Sequence, residues 1–319
     1  MSTAYLLRRL GLAAVVLWAA WTVSFVVLYL LPGDPVATMA GASDGEPPTP
    51  AELDALRARY GLDQPPAVQY VTRLWAALQG DLGTSFATGQ DVRSAVADAL
   101  PPTLQMAGVG LLVAVAGGTA VAVAATWTRS GRLRQLLWSL PSLAVSMPVF
   151  WVGLMLVQLF SFRLGWLPSV GDRGPGSLVL PAITLGLPTG ALIAQVLAKS
   201  LERSLEAPFV TTARAKGIGE AAVHLRHALG NAAIPALTVL GYVVGNLLAG
   251  SVVVETVFTR PGLGRLTVAS VGAQDIPVVQ GVVLFAALAF VVVNLLVDLA
   301  YPLLDPRIAT TTVAAGGTR

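Results

Sequence analysis

Six apolar runs, each long enough to cross a bilayer, limit what this chain can fold into. They lie near residues 10–31, 103–127, 136–162, 178–198, 232–257 and 280–303. A helix needs about 20 apolar residues to span the hydrocarbon core, where only a backbone that satisfies its own hydrogen bonds is tolerated. The expected fold class is an all-α membrane protein with six transmembrane helices. Only 12% of the 319 residues are charged, against about one-quarter in an average soluble domain. Arg8 and Arg9 precede the first run as in a signal peptide, but the run continues to Leu31 without a small-residue cleavage site. That pattern predicts an uncleaved span. Pro141, Pro148, Pro181 and Pro188 interrupt the third and fourth runs. Kinks around a cavity and plain helix packing both accommodate them.

Charge sets the orientation. With the N-terminus placed in the cytoplasm, the inner segments hold twelve basic and four acidic residues, and the outer segments eight basic and twelve acidic. Basic residues collect in cytoplasmic loops, so both termini are expected on the cytoplasmic side. The expected organisation is an N-terminal span through residue 31, an extracytoplasmic helical loop over 32–102 and a core over 103–303. The core carries a cytoplasmic loop at 199–231, and 304–319 forms a cytoplasmic tail whose Gly-rich end is expected to be disordered. The outer loop is too long for a simple connector. Thr49 and Pro50 read as a cap and first residue of a helix. Val68, Val71, Leu74, Trp75 and Leu78 form one helical stripe, and Val92, Val96 and Leu100 repeat the pattern. Packing on the membrane helices and docking of an external partner are both open for these stripes.

Several chemistries are absent from the sequence. No Gly-x-x-x-x-Gly-Lys-[Ser/Thr] motif is present to cradle ATP phosphates. There is no cysteine, and the histidines are His224 and His227 alone. No metal site and no nucleophile–base pair are expected. A net charge of +3 gives no case for nucleic acid. Glu255 closes the fifth run and Asp298 lies late in the sixth. An ionisable residue at membrane depth is a functional candidate, but two of them make a poor proton relay. Gly241 and Gly245, extended by Asn246 and Gly250, form a small-residue face suited to internal packing or to a subunit contact.

Between the fourth and fifth runs lies a short basic segment broken by glycine. It comprises Phe209, Val210, Thr211, Thr212, Ala213, Arg214, Ala215, Lys216, Gly217, Ile218, Gly219 and Glu220. Its charges are too costly for hydrocarbon, and its glycines interrupt a long helix. The segment predicts a compact helix–turn–helix at the membrane surface that presents Arg214 and Lys216, a place for a soluble motor to grip.

Many short motifs then occur in a telling order. Leu31-Pro32-Gly33-Asp34-Pro35, Tyr60-Gly61-Leu62-Asp63, Gly80-Asp81-Leu82-Gly83-Thr84-Ser85 and Pro101-Pro102-Thr103-Leu104 come first. Ser146-Met147-Pro148-Val149-Phe150, Leu164-Gly165-Trp166-Leu167-Pro168 and Leu180-Pro181-Ala182-Ile183-Thr184-Leu185 follow. Thr212-Ala213-Arg214-Ala215-Lys216-Gly217, Val254-Glu255-Thr256-Val257-Phe258, Pro261-Gly262-Leu263-Gly264 and Asp305-Pro306-Arg307-Ile308 complete the set. Over nearly its whole length the chain resembles the inner-membrane permease subunits of binding-protein-dependent ABC importers, dipeptide and oligopeptide branch.

The resemblance implies a type I ABC importer permease fold and transport by alternating access. It implies a second homologous permease, usually forming a heterodimer, two ATPase subunits that bind ATP and Mg, an extracytoplasmic solute-binding protein, and a di- or oligopeptide substrate. No cofactor is expected in this chain. The segment from Phe209 to Glu220 corresponds to the coupling helix that sits in a groove on the ATPase. In that reading Phe209, Val210 and Ile218 plug the groove, and Arg214 and Lys216 pair with its acids or backbone. The wider superfamily often carries Glu-Ala-Ala where this chain has Thr211-Thr212-Ala213, so the generic acidic contact is missing. Ser146, Pro148, Trp151, Gln195, Asn246 and Glu255 are the expected substrate pathway, although polar faces also serve as interhelical glue. Nickel chelates, haem and oligosaccharides remain as rival cargoes. A stand-alone channel or carrier is the rival class.

Overall fold

The structure, a computed structural model, describes residues 3–30, Val36, 49–172 and 174–304. Among these residues the chain is helical apart from loops and one isolated bridge between Thr84 and Asp91. The first helices are α1 (Thr3–Leu30), α2 (Pro50–Arg59), α3 (Pro66–Leu78) and α4 (Val92–Trp127). Next come α5 (Gly131–Ser146), α6 (Val149–Leu156, continued by the π-helical turns Val157–Arg163) and α7 (Gly176–Leu205). α8 (Pro208–Ala215) precedes α9, which runs from Glu220–Ala222 through a π-helical stretch, Val223–Ala228, into Leu229–Thr238. α10 (Leu240–Val257), α11 (Leu263–Gly272) and α12 (Ile276–Leu304) complete the set.

Among the described residues four stretches are long and apolar enough to cross a membrane: Leu7–Tyr29, Val92–Trp127, Gly176–Leu205 and Ile276–Leu296. The third expected span is not one helix. α5 and α6 meet at a bend of 104°, and counted together they make a fifth crossing. Of the four prolines flagged there, Pro148 alone breaks the chain: Met147 before it is extended, with ψ 131°, as the steric demand of a following proline requires. Pro141, Pro181 and Pro188 stay inside helices. The fifth expected span is divided as well, and its apolar part, Tyr242–Val257, is shorter than the others. Pro101 and Pro102 do not end the outer loop's last helix; α4 carries Val92 and Val96 straight into the second span. The expected tail from Asp305 onward, and the whole motif at 31–35, lie outside the described residues.

The chain forms two compact units, Met1–Thr103 with Pro261–Val292, and Leu104–Arg260 with Val293–Arg319. The helical segments between residues 49 and 103 thus share a unit with residues 261–292, far along the chain. In the first unit Val92, Val96 and Ala99 pack with Leu263, Val278 and Val282. The Leu263 N–H donates to the Thr103 hydroxyl at 2.8 Å, which supplies one of the orphan donors at the start of α11. α2 begins as its sequence predicts, with Pro50 in its first turn and a capping box between Thr49 and Glu52. Buried Asp275 accepts from the Ser85 hydroxyl and from the N–H groups of Phe86 and Ala87, the latter at 3.0 and 3.3 Å.

α3 turns the opposite way from the packing expectation. Tyr70 bonds the Thr22 hydroxyl of α1 at 2.9 Å, and its ring meets Phe25 edge-on at 5.2 Å. Arg73 lies over the Tyr29 ring at 4.8 Å and donates to the Tyr60 carbonyl at 2.8 Å. The face with Gln69, Tyr70 and Arg73 thus points inward, which leaves Val68, Val71, Trp75 and Leu78 exposed.

In the second unit α7 is the axis, with half of its 30 residues buried. α5, α6, α9 and α10 all pack against it. Its approach to α4 depends on glycine. A Cβ built on Gly118 would fall 2.5 Å from the Gly190 carbonyl oxygen, and one on Gly186 would fall 2.6 Å from that of Gly110. Close backbone contact of this kind replaces the hydrophobic drive that helices lack in lipid. An apolar cavity of about 310 Å³ opens between α4, α5 and α7, lined by Val121, Leu140, Pro141, Met147 and Leu187 among others.

Candidate functional site

The basic segment folds as a helix, a tight turn and a second helix. Ala207 is extended and Pro208 occupies the first turn of α8, where its missing N–H costs nothing. The helix stops at Gly217, whose φ of +80° favours glycine. The Ile218 N–H donates to the Ala213 carbonyl at 3.2 Å and the Gly217 N–H to the Arg214 carbonyl at 2.9 Å. Those two bonds define a Schellman cap, which commonly brings an apolar contact across the turn. Here Ile218 packs on Ala213, Val210 and Val223 in a small core of its own.

This core corrects part of the sequence reading. Val210 is 1% exposed and Ile218 is partly buried against it, so both side chains are engaged in packing within the loop. Phe209, Thr211, Thr212, Arg214, Ala215 and Lys216 form the exposed face. Arg214 is also engaged within the loop. Its Nε donates to Glu220 Oε1 at 2.8 Å and its Nη2 to Oε2 at 3.0 Å, a two-pronged geometry that suits guanidinium and carboxylate. That hydrogen bonding holds the Glu220 carboxyl below its ordinary pKa and raises Arg214. Lys216 is left as an outward-facing cation of the segment, with Phe209 as its large apolar residue.

The segment is tied to α4 through α9. His224 is buried, and its Nε2 lies 2.9 Å from the Thr126 hydroxyl. The Trp127 ring meets the imidazole edge-on at 5.0 Å. Burial pushes the His224 pKa down, and the negative charge of Glu220 partly opposes that. Nearby, Arg134 of α5 donates to Glu202 of α7 at 2.6 Å.

The expected pathway residues do not form one surface. Ser146, Pro148 and Trp151 are exposed at the bend between α5 and α6. Gln195 lines a separate small cavity of about 110 Å³ with Trp138, Ser142 and Lys199. Asn246 is exposed on α10. Glu255 is fully buried, with the Arg260 charge acting near it, so it does not line an open path. The loop there is a structural clasp: buried Arg260 donates through Nη1 to the Gly171 and Ser177 carbonyls at 3.1 and 3.3 Å. Gly250, from the small-residue face on α10, meets Leu185 of α7, which is internal packing.

Sequence reasoning missed the Arg214–Glu220 pair and the inward set of Val210 and Ile218. A signal for the second was present: Val210 and Ala213 share one face at i, i+3, and a glycine followed by an apolar residue marks a Schellman cap.

Residues 114–310 match the family described as binding-protein-dependent transport system inner membrane component. Residues 2–107 match its N-terminal companion. A Brucella melitensis protein named, provisionally, as a peptide transport system permease is 39% identical over 316 residues, covering 97% of this chain and 99% of its own. The glutathione transport system permease protein GsiC of Salmonella typhimurium is 41% identical over 306 residues, covering 95% and 98%. A solved structure of an amino acid ABC transporter matches 65% of this chain and 93% of its own at 16% identity with a TM-score of 0.48, too distant to bear on the site.

Proposed function

From the chain's membership of the binding-protein-dependent transport system inner membrane component family, we propose that it is the permease subunit of an ATP-driven importer of short peptides. The observation that carries this is the self-supporting loop from Pro208 to Val223. It is an exposed element on the second unit, with its own core, cap and ion pair. A device of that kind suits a permease whose motor is a separate subunit. Identity of 39% and 41% over nearly the full length to permeases named for peptide and glutathione transport supports the cargo class.

The chain works with a second permease, two ATPase subunits that bind ATP and Mg, and an extracytoplasmic binding protein. It crosses the inner membrane six times with both termini inside. The bent α5–α6 pair supplies one crossing, and the end of α9 from Ala232 together with α10 another. ATP draws the two motors together, and the exposed face of α8, with Phe209, Thr211, Thr212 and Lys216, moves with them. Because α8 sits on its own core and α9 is fastened to α4 at Thr126, the displacement passes into the membrane helices. Peptide released from the binding protein crosses between the permeases, past the bend at Ser146, Pro148 and Trp151.

The test is affinity purification of the chain from its native membrane with identification of its companions. Stoichiometric recovery of a second permease, ATPases with phosphate-binding motifs and a solute-binding protein is expected, and peptide carried by that binding protein fixes the cargo. Purification of the chain alone, with transport in liposomes that needs no ATP, overturns the reading.

A further inference from the structure

We propose that α3 is an interfacial helix that lies in the bilayer surface, with Val68, Val71, Trp75 and Leu78 inserted among the lipid headgroups and upper acyl chains. The proposal rests on reading α1 as a membrane span, as above. These side chains are 47%, 64%, 65% and 73% exposed and stand on one side of the helix without a charge among them. The opposite side is committed to α1 and the α2–α3 connection through Gln69, Tyr70 and Arg73. The packing observed therefore presents the apolar stripe rather than hiding it.

Position identifies the occupant. The span Leu7–Tyr29 has 23 residues, about 35 Å of helix at 1.5 Å per residue, slightly more than the ~30 Å hydrocarbon core. α3 touches it at Thr22, Phe25 and Tyr29, within about 10 Å of its end. That is the depth at which amphipathic helices settle, with their apolar face roughly 5–10 Å into the headgroup boundary. The stretch of α1 beside it keeps Val23, Val26 and Val27 exposed, so the apolar surface of the span continues onto α3. Trp75 is the side chain favoured at this level, and the Arg73 charge is turned away from the stripe to the Tyr60 carbonyl and Tyr29 ring. A binding protein that must dock and leave is a poorer match, since no charged residue lies within the stripe to steer or register it.

The chain has no cysteine, so V71C, W75C, L78C and, as a water-facing reference on the polar helix α2, A55C each give a single attachment point. Nitroxide-labelled variants are placed, within the assembled importer, in vesicles of phosphatidylethanolamine and phosphatidylglycerol. Collision with oxygen, which concentrates in lipid, is compared with collision with a neutral nickel chelate, which stays in water. A ratio raised several-fold at positions 71, 75 and 78 over position 55 is expected. A ratio equal to that at position 55 overturns the proposal. So does shielding from both reagents, whether permanent, as a protein contact gives, or present only with the binding protein added. Lipids brominated in the upper acyl chain supply a second reading: they quench unlabelled protein more than W75F, and equal quenching overturns the proposal. ATP-driven uptake in the same vesicles reports on the importer reading separately.

Discussion

The tightest helix contact in the second unit makes a quantitative prediction. A methyl group at Gly118 would stand 2.5 Å from the Gly190 carbonyl oxygen and 3.0 Å from Ile193 Cβ. The closest ordinary carbon–oxygen contacts are about 3.3 Å, so α4 and α7 have to separate by several tenths of an ångström. The obstacle on one side is backbone and cannot rotate away. Overpacking of this kind costs about 1–3 kcal/mol. Gly117 is the internal control, because a Cβ there meets nothing within 4 Å. There the substitution gives only the gain in helix propensity, up to about 1 kcal/mol. G118A shares that propensity gain, so it is expected to be less stable than G117A by the overpacking cost, about 1–3 kcal/mol. The assay is loss of the monodisperse peak of the solubilised complex against temperature, at one heating rate because such unfolding is commonly irreversible. A midpoint several degrees lower for G118A is expected. Equal midpoints for the two variants refute the close approach of α4 and α7.

Charge exchange tests the loop pair: R214E and E220R each weaken peptide-stimulated ATP hydrolysis, and R214E/E220R recovers most of it. No recovery in the double variant means that Arg214 grips the motor instead. K216E, which reverses an outward-facing cation, lowers stimulated hydrolysis while the thermal midpoint stays within a degree or two, and a large fall in midpoint contradicts its outward placement. D275A strands the Ser85 hydroxyl and two N–H donors and costs about 3 kcal/mol or more. S85A removes the bond to that charged acceptor together with those from the Thr88 N–H and hydroxyl, and costs about 3 kcal/mol or more as well. A D275A protein that matches the wild type in thermal midpoint refutes the burial of that carboxylate.

Local patterns carried the parts of the structure that depend on neighbouring residues. Thr49 before Pro50 marks the start of α2 because capping is a contest among adjacent groups. The long apolar runs mark the spans because lipid imposes one requirement on all of them. Elsewhere the deciding contact is remote. Pro141, Pro148, Pro181 and Pro188 look alike in sequence, yet only Pro148 has Met147 extended before it and a 104° bend. Gly118 and Gly190 become essential through each other, and Ser85 acquires its role from Asp275, 190 residues away. The stripe on α3 was legible as apolar, but periodicity tells which residues share a face and not whether protein or lipid covers it. Arg214 was read as a hand offered to a partner, because nothing in spacing alone says that a turn at Gly217 brings Glu220 back to it.

The fastening of α9 to α4 has a pH signature. Burial of His224 beside Thr126 and Trp127 disfavours imidazolium, and Glu220 opposes this only in part, so the folded pKa lies below the ordinary 6.5. Beneath that ordinary value the unfolded chain takes up the proton more readily than the folded one. The stability that His224 contributes as a neutral group is therefore complete above about pH 6.5 and is lost as pH falls through the interval down to the folded pKa. The loss is at most about 1.4 kcal/mol per pH unit for a single group. Glu220, the acid facing His224, is itself depressed below the usual carboxylate range by Arg214, so its titration falls below this interval. Thermal midpoints of the wild type and H224Q, taken at pH 7.5, 6.5 and 5.5, separate this group from the rest. The wild type is expected to lose more stability than H224Q between pH 6.5 and 5.5, with little difference in slope above 6.5. Parallel falls in the two proteins mean that the imidazole is protonated as readily in the fold as in water, and that the contact with Thr126 does not hold it neutral.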